Sequence, residues 1–219
     1  MPLKRGTLIA LEGLDRSGKS TQCALLVSHL REQGHTVEPM RFPNRSTPIG
    51  LMIDQYLTGT AQTEDHIIHL LFAANRWEFA AEIERLIAAG TTVVMDRYYY
   101  SGCVYSAAKG VPGMDLAWCR QPEVGLPRPD VWVFLDVGEE AAERRGGYGA
   151  ERYETREMQR KVRGLFGEMM VHKQEREDVR VVDAGREVEA VAHDVQKAVG
   201  QPMEAVQAAN HALRRVAPW

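Results

Sequence analysis

The chain has 219 residues, enough for one sizeable α/β domain, and its 27 basic and 30 acidic side chains give a formal net charge of −3. This balance argues against broad binding to nucleic acids or to membrane surfaces. The three cysteines (Cys23, Cys103 and Cys119) are widely spaced and form no CxxC pair, so the sequence indicates neither a disulfide framework nor a zinc site. We see no signal peptide and no membrane span, and we expect a cytoplasmic or nuclear protein.

The most informative stretch runs from Gly13 to Ser20 and reads GLDRSGKS. Two glycines spaced five apart and followed by a lysine and a hydroxyl residue match a phosphate-binding loop. Residues 7–11 before it are typical of a buried strand, and residues 21–33 after it have helical spacing. In that setting backbone N–H groups can surround phosphates, while Lys19 adds a positive charge and Ser20 can bind Mg²⁺. We therefore expect the chain to bind a nucleoside triphosphate.

Further along the chain, strands are predicted over residues 36–41, 91–95, 131–137 and 179–182. Helices are predicted over residues 49–57, 63–89, 99–108, 139–145, 156–177 and 188–199, with an amphipathic stretch at 203–216. The alternation predicts an α/β fold with a five-stranded parallel sheet and helices on both faces, in a single domain spanning residues 1–219. Because ligands bind beyond the carboxyl ends of such strands, the loops after the first three strands should meet at one site.

A segment after the fourth strand has the composition of a lid. Residues 144–149 combine three glycines with Arg144 and Arg145. We interpret a region of about residues 139–160 as a lid that closes over the triphosphate and excludes water. An ordinary surface loop is the alternative interpretation.

Three functions of a phosphate loop can be compared with the rest of the sequence. A GTPase switch would carry an Asn-Lys-x-Asp motif that reads guanine, and the sequence has none. A motor would need further domains. A phosphotransferase needs two groups of cations, one for an anionic acceptor and one for the transferred group. Arginines at strand ends, on a helix and in the lid favour this third function, and they are Arg41, Arg45, Arg76, Arg97, Arg144, Arg145 and Arg152.

Several strings, taken in order, resemble the thymidylate kinase family, and its eukaryotic form most closely. The likeness extends from Gly6 to about Val199. The strings are LEGLDRSGKSTQ at 11–22, RFP at 41–43 with RST at 45–47, LLFAANRWE at 70–78, DRY at 96–98 with SG at 101–102, QPEVGLP at 121–127, and ERYE at 151–154. The resemblance implies the fold of P-loop nucleoside monophosphate kinases and transfer of the terminal phosphate of ATP to dTMP, giving dTDP and ADP for dTTP synthesis. It also implies Mg²⁺ and a homodimer formed through the apolar helices at 49–57 and 63–89.

The resemblance also implies roles for individual residues. The ATP set is Gly13, Arg16, Ser17, Gly18, Lys19, Ser20, Thr21, Arg145 and Arg186. The dTMP set is Asp15, Phe42, Pro43, Arg45, Phe72, Arg76, Arg97, Ser101, Gly102, Tyr105, Tyr153 and Gln159. The metal set is Ser20 and Asp96, and the catalytic set is Asp15, Arg16, Lys19, Asp96, Arg97 and Arg145.

Among these roles, Phe72 would stack on the thymine ring and Arg76 would donate to a thymine carbonyl oxygen. Arg97, with Arg45, would hold the dTMP phosphate, and Tyr105 would exclude a ribose hydroxyl. Four positions depart from the family pattern. Gly147, next to Gly146, would loosen the lid, and the bulky Tyr99 and Tyr100 would affect the width of the pocket. Gln196 stands where relatives have an arginine near ATP, so adenine affinity could differ. A deoxynucleoside kinase and a nucleotide-binding protein without activity are the alternatives.

Overall fold

A five-stranded parallel sheet lies at the centre of the computed structural model, which describes residues 4–138, 141–142, 152–153, 155–209 and 211–219. Its spatial order is β2-β3-β1-β4-β5. The strands are β1 (Leu8–Gly13), β2 (Val37–Arg41), β3 (Thr92–Asp96), β4 (Val131–Asp136) and β5 (Val179–Asp183). The predicted sheet is confirmed, with strand ends that differ from the prediction by one or two residues at most.

Helices cover both faces of this sheet. On one face α1 and α9 pack over apolar side chains of β1 and β4, and on the other face α4, α5 and α7 pack over β3 and β4. The helices are α1 (Lys19–Glu32), α2 (Pro48–Leu57), α3 (Asp65–Trp77), α4 (Ala80–Ala88), α5 (Tyr99–Ala107), α6 (Leu116–Arg120), α7 (Arg156–Val171), α8 (Lys173–Arg176) and α9 (Val188–Ala209), with a 3₁₀ turn at Gln121–Glu123. Among the described residues, none of these helices combines the length and apolar character that crossing a membrane requires.

The register of the central strands brings the predicted site together. In β1 and β3 every residue is buried, and Leu11 pairs with Asp96. The phosphate loop therefore leaves β1 beside the point where Asp96 and Arg97 leave β3. As expected for a parallel sheet, the site forms at the carboxyl edge.

The helix predicted over 63–89 is wrong in one respect, because the chain forms two helices, α3 and α4, on either side of Glu78–Phe79. Phe79 is the N-cap of α4, with φ −106° and ψ −3°, which stays in the right-handed helical region. Its ring packs edge-to-face on Phe42, with the ring centroids 5.7 Å apart. The break therefore coincides with a contact to a distant residue, which no helical period reports.

The helix predicted over 156–177 is also divided, at His172, where ψ is 134°. The His172 ring stacks on Trp219 with the ring centroids 4.3 Å apart. The helix α6 was not predicted, and its N-cap is Asp115, which accepts from the Trp118 N–H at 2.8 Å. Of the helix predicted over 139–145, only residues 141–142 are described, and both are helical.

The helix predicted over 188–199 is confirmed but extends further, and the amphipathic stretch predicted over 203–216 is helical as far as Ala209. A single helix, α9, continues through Pro202 to Ala209, and residues 211–219 form an extended tail. Val216 of the tail is buried, donating to the Leu126 carbonyl at 2.9 Å and accepting from the Gly125 N–H at 2.8 Å. The tail is extended because its backbone pairs with the segment that precedes β4.

Candidate active site

The phosphate loop joins β1 to α1, and its conformation requires glycine at two positions. Gly13 has φ 148°, and a Cβ there would lie 2.7 Å from the Leu135 carbonyl oxygen. Gly18, the N-cap of α1, has φ 92°. Residues with a side chain rarely adopt such positive φ angles. Glycine therefore allows the loop to turn with its N–H groups available at the N-terminus of α1.

Lys19 is buried within this loop. Its ammonium group donates to the Leu14 carbonyl at 2.6 Å and to Ser17 Oγ at 3.3 Å. Burial lowers the pKa of Lys19 to about 8, and the nearby positive charge of Arg97 lowers it as well. The amine therefore carries a proton at neutral pH and is held beside the place where phosphates would lie.

Ser20 and Asp96 form a pair of oxygen donors at the start of α1. Ser20 Oγ donates to Asp96 Oδ2 at 2.5 Å, and Arg41 Nε lies 3.7 Å from the same carboxylate oxygen. Within the described ranges there is no cluster of three or more His, Cys, Asp or Glu residues that could hold a metal by itself. Such a pair suits a cation like Mg²⁺, which takes most of its ligands from water and phosphate.

Arg97 follows β3 in a strained conformation, with φ 67°. Its Nη1 donates to Ser101 Oγ at 2.9 Å and to the Gly13 carbonyl at 3.2 Å, and its Nη2 pairs with Asp15. Asp15 also accepts from Gln159 Nε2 at 2.7 Å. Backbone strain of this kind persists at functional sites, where surrounding contacts hold a side chain in place.

The Asp15 carboxylate stays charged in this arrangement. Burial raises its pKa, but the charges of Arg97 and Lys19 and the hydrogen-bond donors Tyr105 and Gln159 lower it, so the net shift is downward. The carboxylate can therefore accept a hydrogen bond from a substrate hydroxyl while it fixes the guanidinium of Arg97.

Glu12 is a functional position that the sequence analysis did not identify. It is fully buried and accepts from the N–H groups of Tyr98 and Ser101 and, at 2.5 Å, from Ser101 Oγ. Burial raises the pKa of Glu12, opposed by the charge of Arg97. Glu12 thereby holds the first turn of α5, which carries Ser101. The signal that could have found it is a carboxylate within an apolar strand.

A cavity of about 420 Å³ connects the phosphate loop with α3 and α5. Most of the predicted site residues line it, and they are Asp15, Arg16, Gly18, Lys19, Ser20, Thr21, Phe42, Pro43, Arg45, Phe72, Arg76, Arg97, Ser101, Gly102, Tyr105 and Tyr153. Three lining residues were not identified from the sequence, and they are Leu57, Tyr98 and Ser106, while a fourth, Arg41, was named only among the strand-end arginines.

The remaining predicted residues fall into three groups. Gly13 and Ser17 are buried members of the phosphate loop, while Asp96 and Gln159 bond to lining residues. Arg186 follows β5 and pairs with Asp194, away from the cavity lining. Arg145, with most of the predicted lid, lies outside the described residues.

Another part of the cavity lining, here called the α3–α5 end, is formed by Phe72 and Arg76 of α3 and by Gly102 of α5. Phe72 and Arg76 are four residues apart, so they share one face of the helix. A Cβ at Gly102 would lie 2.5 Å from Arg76 Nη2. Only glycine leaves room for the guanidinium, which explains why Gly102 belongs to this wall.

Ser106 at the same end is oriented by His69. His69 Nε2 lies 2.8 Å from the Cys119 carbonyl, and Nδ1 lies 2.8 Å from Ser106 Oγ. Burial lowers the pKa of His69 to about 4, so the ring is neutral at pH 7. Since a carbonyl can only accept, Nε2 carries the proton and the Ser106 hydroxyl donates to Nδ1.

Tyr99 and Tyr100 do not narrow the cavity, contrary to expectation. Both side chains are fully buried in the core, where Tyr100 stacks on Trp132 with the ring centroids 4.3 Å apart. Their positions on α5 face the sheet, whereas Ser101, Gly102 and Tyr105 face the cavity. The bulky pair therefore adds to the core.

A family model described as Thymidylate kinase matches residues 11–195. The chain belongs to the thymidylate kinase family. The thymidylate kinases of Danio rerio and Homo sapiens are 45% and 44% identical to it over 195 residues, which cover 89% of this chain and 90% of each relative. The Arabidopsis thaliana thymidylate kinase is 54% identical over 162 residues, and the match spans 74% of this chain and 60% of that protein.

A solved thymidylate kinase from Candida albicans superposes with a TM-score of 0.85 at 34% identity, covering 97% of this chain and 99% of that one. The expected likeness to eukaryotic thymidylate kinases and the expected P-loop kinase fold are thus confirmed.

Proposed function

We propose that this thymidylate kinase transfers the terminal phosphate of ATP to dTMP, giving dTDP and ADP. The observation that carries the proposal is a single cavity whose lining includes both Lys19 of the phosphate loop and Phe72 of α3. Arg97 lines the same cavity and contacts the loop at the Gly13 carbonyl. Two nucleotides bound with their phosphates facing each other would meet at this arginine.

Positioning and charge stabilisation supply the catalysis in this proposal. The second pKa of a phosphate monoester is about 6, so dTMP is largely ionised near neutral pH and needs no strong base. Lys19 and Arg16 hold the transferred group, while Arg97 and Arg45 hold the acceptor phosphate in line with it. Asp15 accepts from the sugar 3′-hydroxyl, and Gln159 holds that carboxylate.

Ser20 and Asp96 are the residues that would hold Mg²⁺, Ser20 directly and Asp96 through water. Their hard oxygen atoms and their hydrogen bond at 2.5 Å support this assignment. When bound, the ion would neutralise charge on the phosphates of ATP.

At the acceptor end, Phe72 stacks on the thymine ring and Arg76 donates to a carbonyl oxygen of the base. Phe42 and Pro43 line the sugar, and Tyr105 with Tyr153 closes the side where a ribose hydroxyl would lie. Support comes from the placement of all these residues in one cavity lining.

The assignments of Arg145 as a lid cation and of Arg186 as an adenine contact also belong to this proposal. Arg186 follows the carboxyl end of β5, the side of the sheet on which nucleotides bind. Its ion pair with Asp194 would have to open for such a contact.

An acceptor panel tests the function. ADP release is measured with dTMP, dUMP, dCMP, AMP, GMP and thymidine at fixed ATP and Mg²⁺. We expect dTMP to have the highest kcat/KM. Turnover of thymidine without turnover of dTMP would identify a deoxynucleoside kinase instead, and ATP binding without transfer to any acceptor would identify a binding protein.

We further propose a homodimer formed through α2 and α3. These helices expose large apolar side chains, namely Leu51, Met52, Ile67, Leu70 and Trp77, between 42% and 54% exposed. Light scattering should give about twice the 24.6 kDa chain mass, and Leu70→Glu should give the single-chain mass. A wild-type monomer at micromolar concentration would contradict this.

A cytosolic or nuclear location is proposed as well, because Cys23, Cys103 and Cys119 are all free buried thiols.

A further inference from the structure

Arg76 and Glu123 form an ion pair with side chains only 3% and 0% exposed. Arg76 Nε donates to Glu123 Oε2 at 2.9 Å, and Nη2 donates to Oε1. This two-pronged contact uses one edge of the guanidinium and leaves Nη1 outside both bonds. Buried ion pairs are often no more stabilising than apolar groups of the same size, so stability alone does not account for this one.

The guanidinium of Arg76 also contributes to the cavity wall. The α5 backbone approaches so closely that a Cβ at Gly102 would lie 2.9 Å from Nη1. The guanidinium is thus confined between Gly102 and Glu123. The position of Glu123 therefore sets the direction of the remaining N–H groups of Arg76.

Glu123 is itself held by several contacts of its 3₁₀ turn. Trp77 Nε1 donates to the Pro122 carbonyl at 2.8 Å, which ties the turn to the residue after Arg76. The Leu126 N–H donates to the Glu123 carbonyl at 3.1 Å. The backbone groups of Gly125 and Leu126 form hydrogen bonds with Val216 of the C-terminal tail. These contacts fix the carboxylate relative to α3.

The charges of the pair cancel. Burial raises the pKa of Glu123 and Arg76 lowers it, while Arg76 is kept protonated by Glu123 despite burial. A lone buried guanidinium at this end would attract phosphate and compete with correct binding. Paired with a carboxylate, it still donates N–H groups but carries no excess charge.

We propose that Glu123 is a positioning residue for recognition of the acceptor base: it aims the free edge of Arg76 at a base carbonyl oxygen and cancels the charge that would otherwise bind a phosphate there. The inference rests on the proposed function, since it assumes that the base lies against Arg76. It assigns to Glu123 the preference for a pyrimidine with a carbonyl group over one with an amino group at the same position.

The test compares Glu123→Gln and Glu123→Asp with Glu175→Gln. Glu175 is a matched control because it forms a second buried ion pair, with Arg120, both side chains being 0% exposed and outside the cavity lining. Steady-state kinetics with dTMP, dUMP and dCMP are measured together with thermal unfolding. Inhibition by inorganic phosphate is measured at varied dTMP.

For Glu123→Gln we expect KM for dTMP to rise about tenfold and the preference for dTMP over dCMP to fall about tenfold, because the guanidinium is misaimed while ATP binding is unchanged. Phosphate should become a stronger competitor of dTMP. Glu123→Asp keeps the charge and should restore phosphate resistance while recovering only part of the base preference. Glu175→Gln should lower Tm without changing either kinetic ratio.

Two results would overturn the inference. One is a Glu123→Gln enzyme that loses Tm as Glu175→Gln does but keeps the wild-type KM, base preference and phosphate sensitivity. The other, if Glu123→Gln does not fold, is a folded Glu123→Asp enzyme with unchanged base preference. A wild-type enzyme that prefers another acceptor would instead refute the proposed function, so the two failures are distinguishable.

Discussion

The two ends of the cavity hold their cations in different ways. At the base end, Arg76 is 2% exposed and its charge is balanced by a fully buried carboxylate, Glu123. At the phosphate end, the ammonium of Lys19 is held by a carbonyl and a hydroxyl, and the Arg41 side chain is 70% exposed and 3.7 Å from Asp96. The base end is preformed and neutral, whereas the phosphate end keeps positive charge for a ligand.

This difference matches the two kinds of ligand group. A neutral base is read by the direction of N–H groups, and an excess charge beside it would favour anions instead. Phosphates are bound by excess positive charge and by groups that can turn toward them. Arg97 lines the same cavity, contacts the phosphate loop at the Gly13 carbonyl and is paired with Asp15.

The largest effect on turnover is expected from substitution of Arg97. Arg97→Ala should lower kcat about 10³-fold, since it removes a donor aimed at charge that develops during transfer. Single-turnover measurements would show the loss in the chemical step. Arg180→Ala, outside the cavity lining, serves as the control. Near-normal turnover of the Arg97 variant would remove this residue from the site.

At the base end, Phe72→Ala should raise KM for dTMP about 10- to 100-fold, because stacking of a base on an aromatic ring contributes about 1–3 kcal/mol. KM for ATP should not change. The matched control is Leu71→Ala, since Leu71 packs in the same small apolar cluster but does not line the cavity. Equal effects on both substrates would argue that Phe72 is only a core residue.

The pH dependence of stability tests whether the buried His69 ring, which orients Ser106, stays neutral in the folded protein. Its folded-state pKa of about 4 lies below the unfolded value, so the unfolded chain binds the extra proton as pH falls through about 6.5. Between pH 7 and pH 5 this should cost the wild type about 2 kcal/mol of unfolding free energy, with the loss complete near pH 4.

Urea denaturation at both pH values measures this cost. His69→Gln should show a smaller decrease on acidification, while a variant of exposed His193, His193→Gln, should behave like wild type. An identical decrease in the His69 variant would mean that this ring does not exclude a proton in the folded state.

The smallest effect concerns the phosphate end. Because the pKa of Lys19 is lowered to about 8, the free enzyme loses this charge as pH rises above that value. We expect kcat/KM for ATP to be about tenfold lower at pH 9 than its plateau near pH 7. Lys19→Arg should remove this pH dependence, and a flat wild-type profile to pH 9.5 would contradict the assignment.

Much of the fold and of the candidate site could be predicted from the sequence, because the informative residues lie close together in the chain. The run from Gly13 to Ser20 combines glycines that a tight phosphate loop needs with the lysine and hydroxyl that follow, all within one short segment. Strand positions followed from apolar runs bounded by breaks, and the parallel sheet followed from their alternation with helices. Most predicted site residues line one cavity because parallel strands end at one edge.

Only the tertiary structure determines which residues far apart in the sequence contact each other. Glu123 meets Arg76 across 47 positions, His69 orients Ser106 across 37, and Phe79, between α3 and α4, packs its ring on Phe42. Sequence periods report which face of an element is buried, but not which polar partner lies behind it. That choice depends on how helices pack over the sheet, and it is what makes one end of the cavity neutral and the other positive.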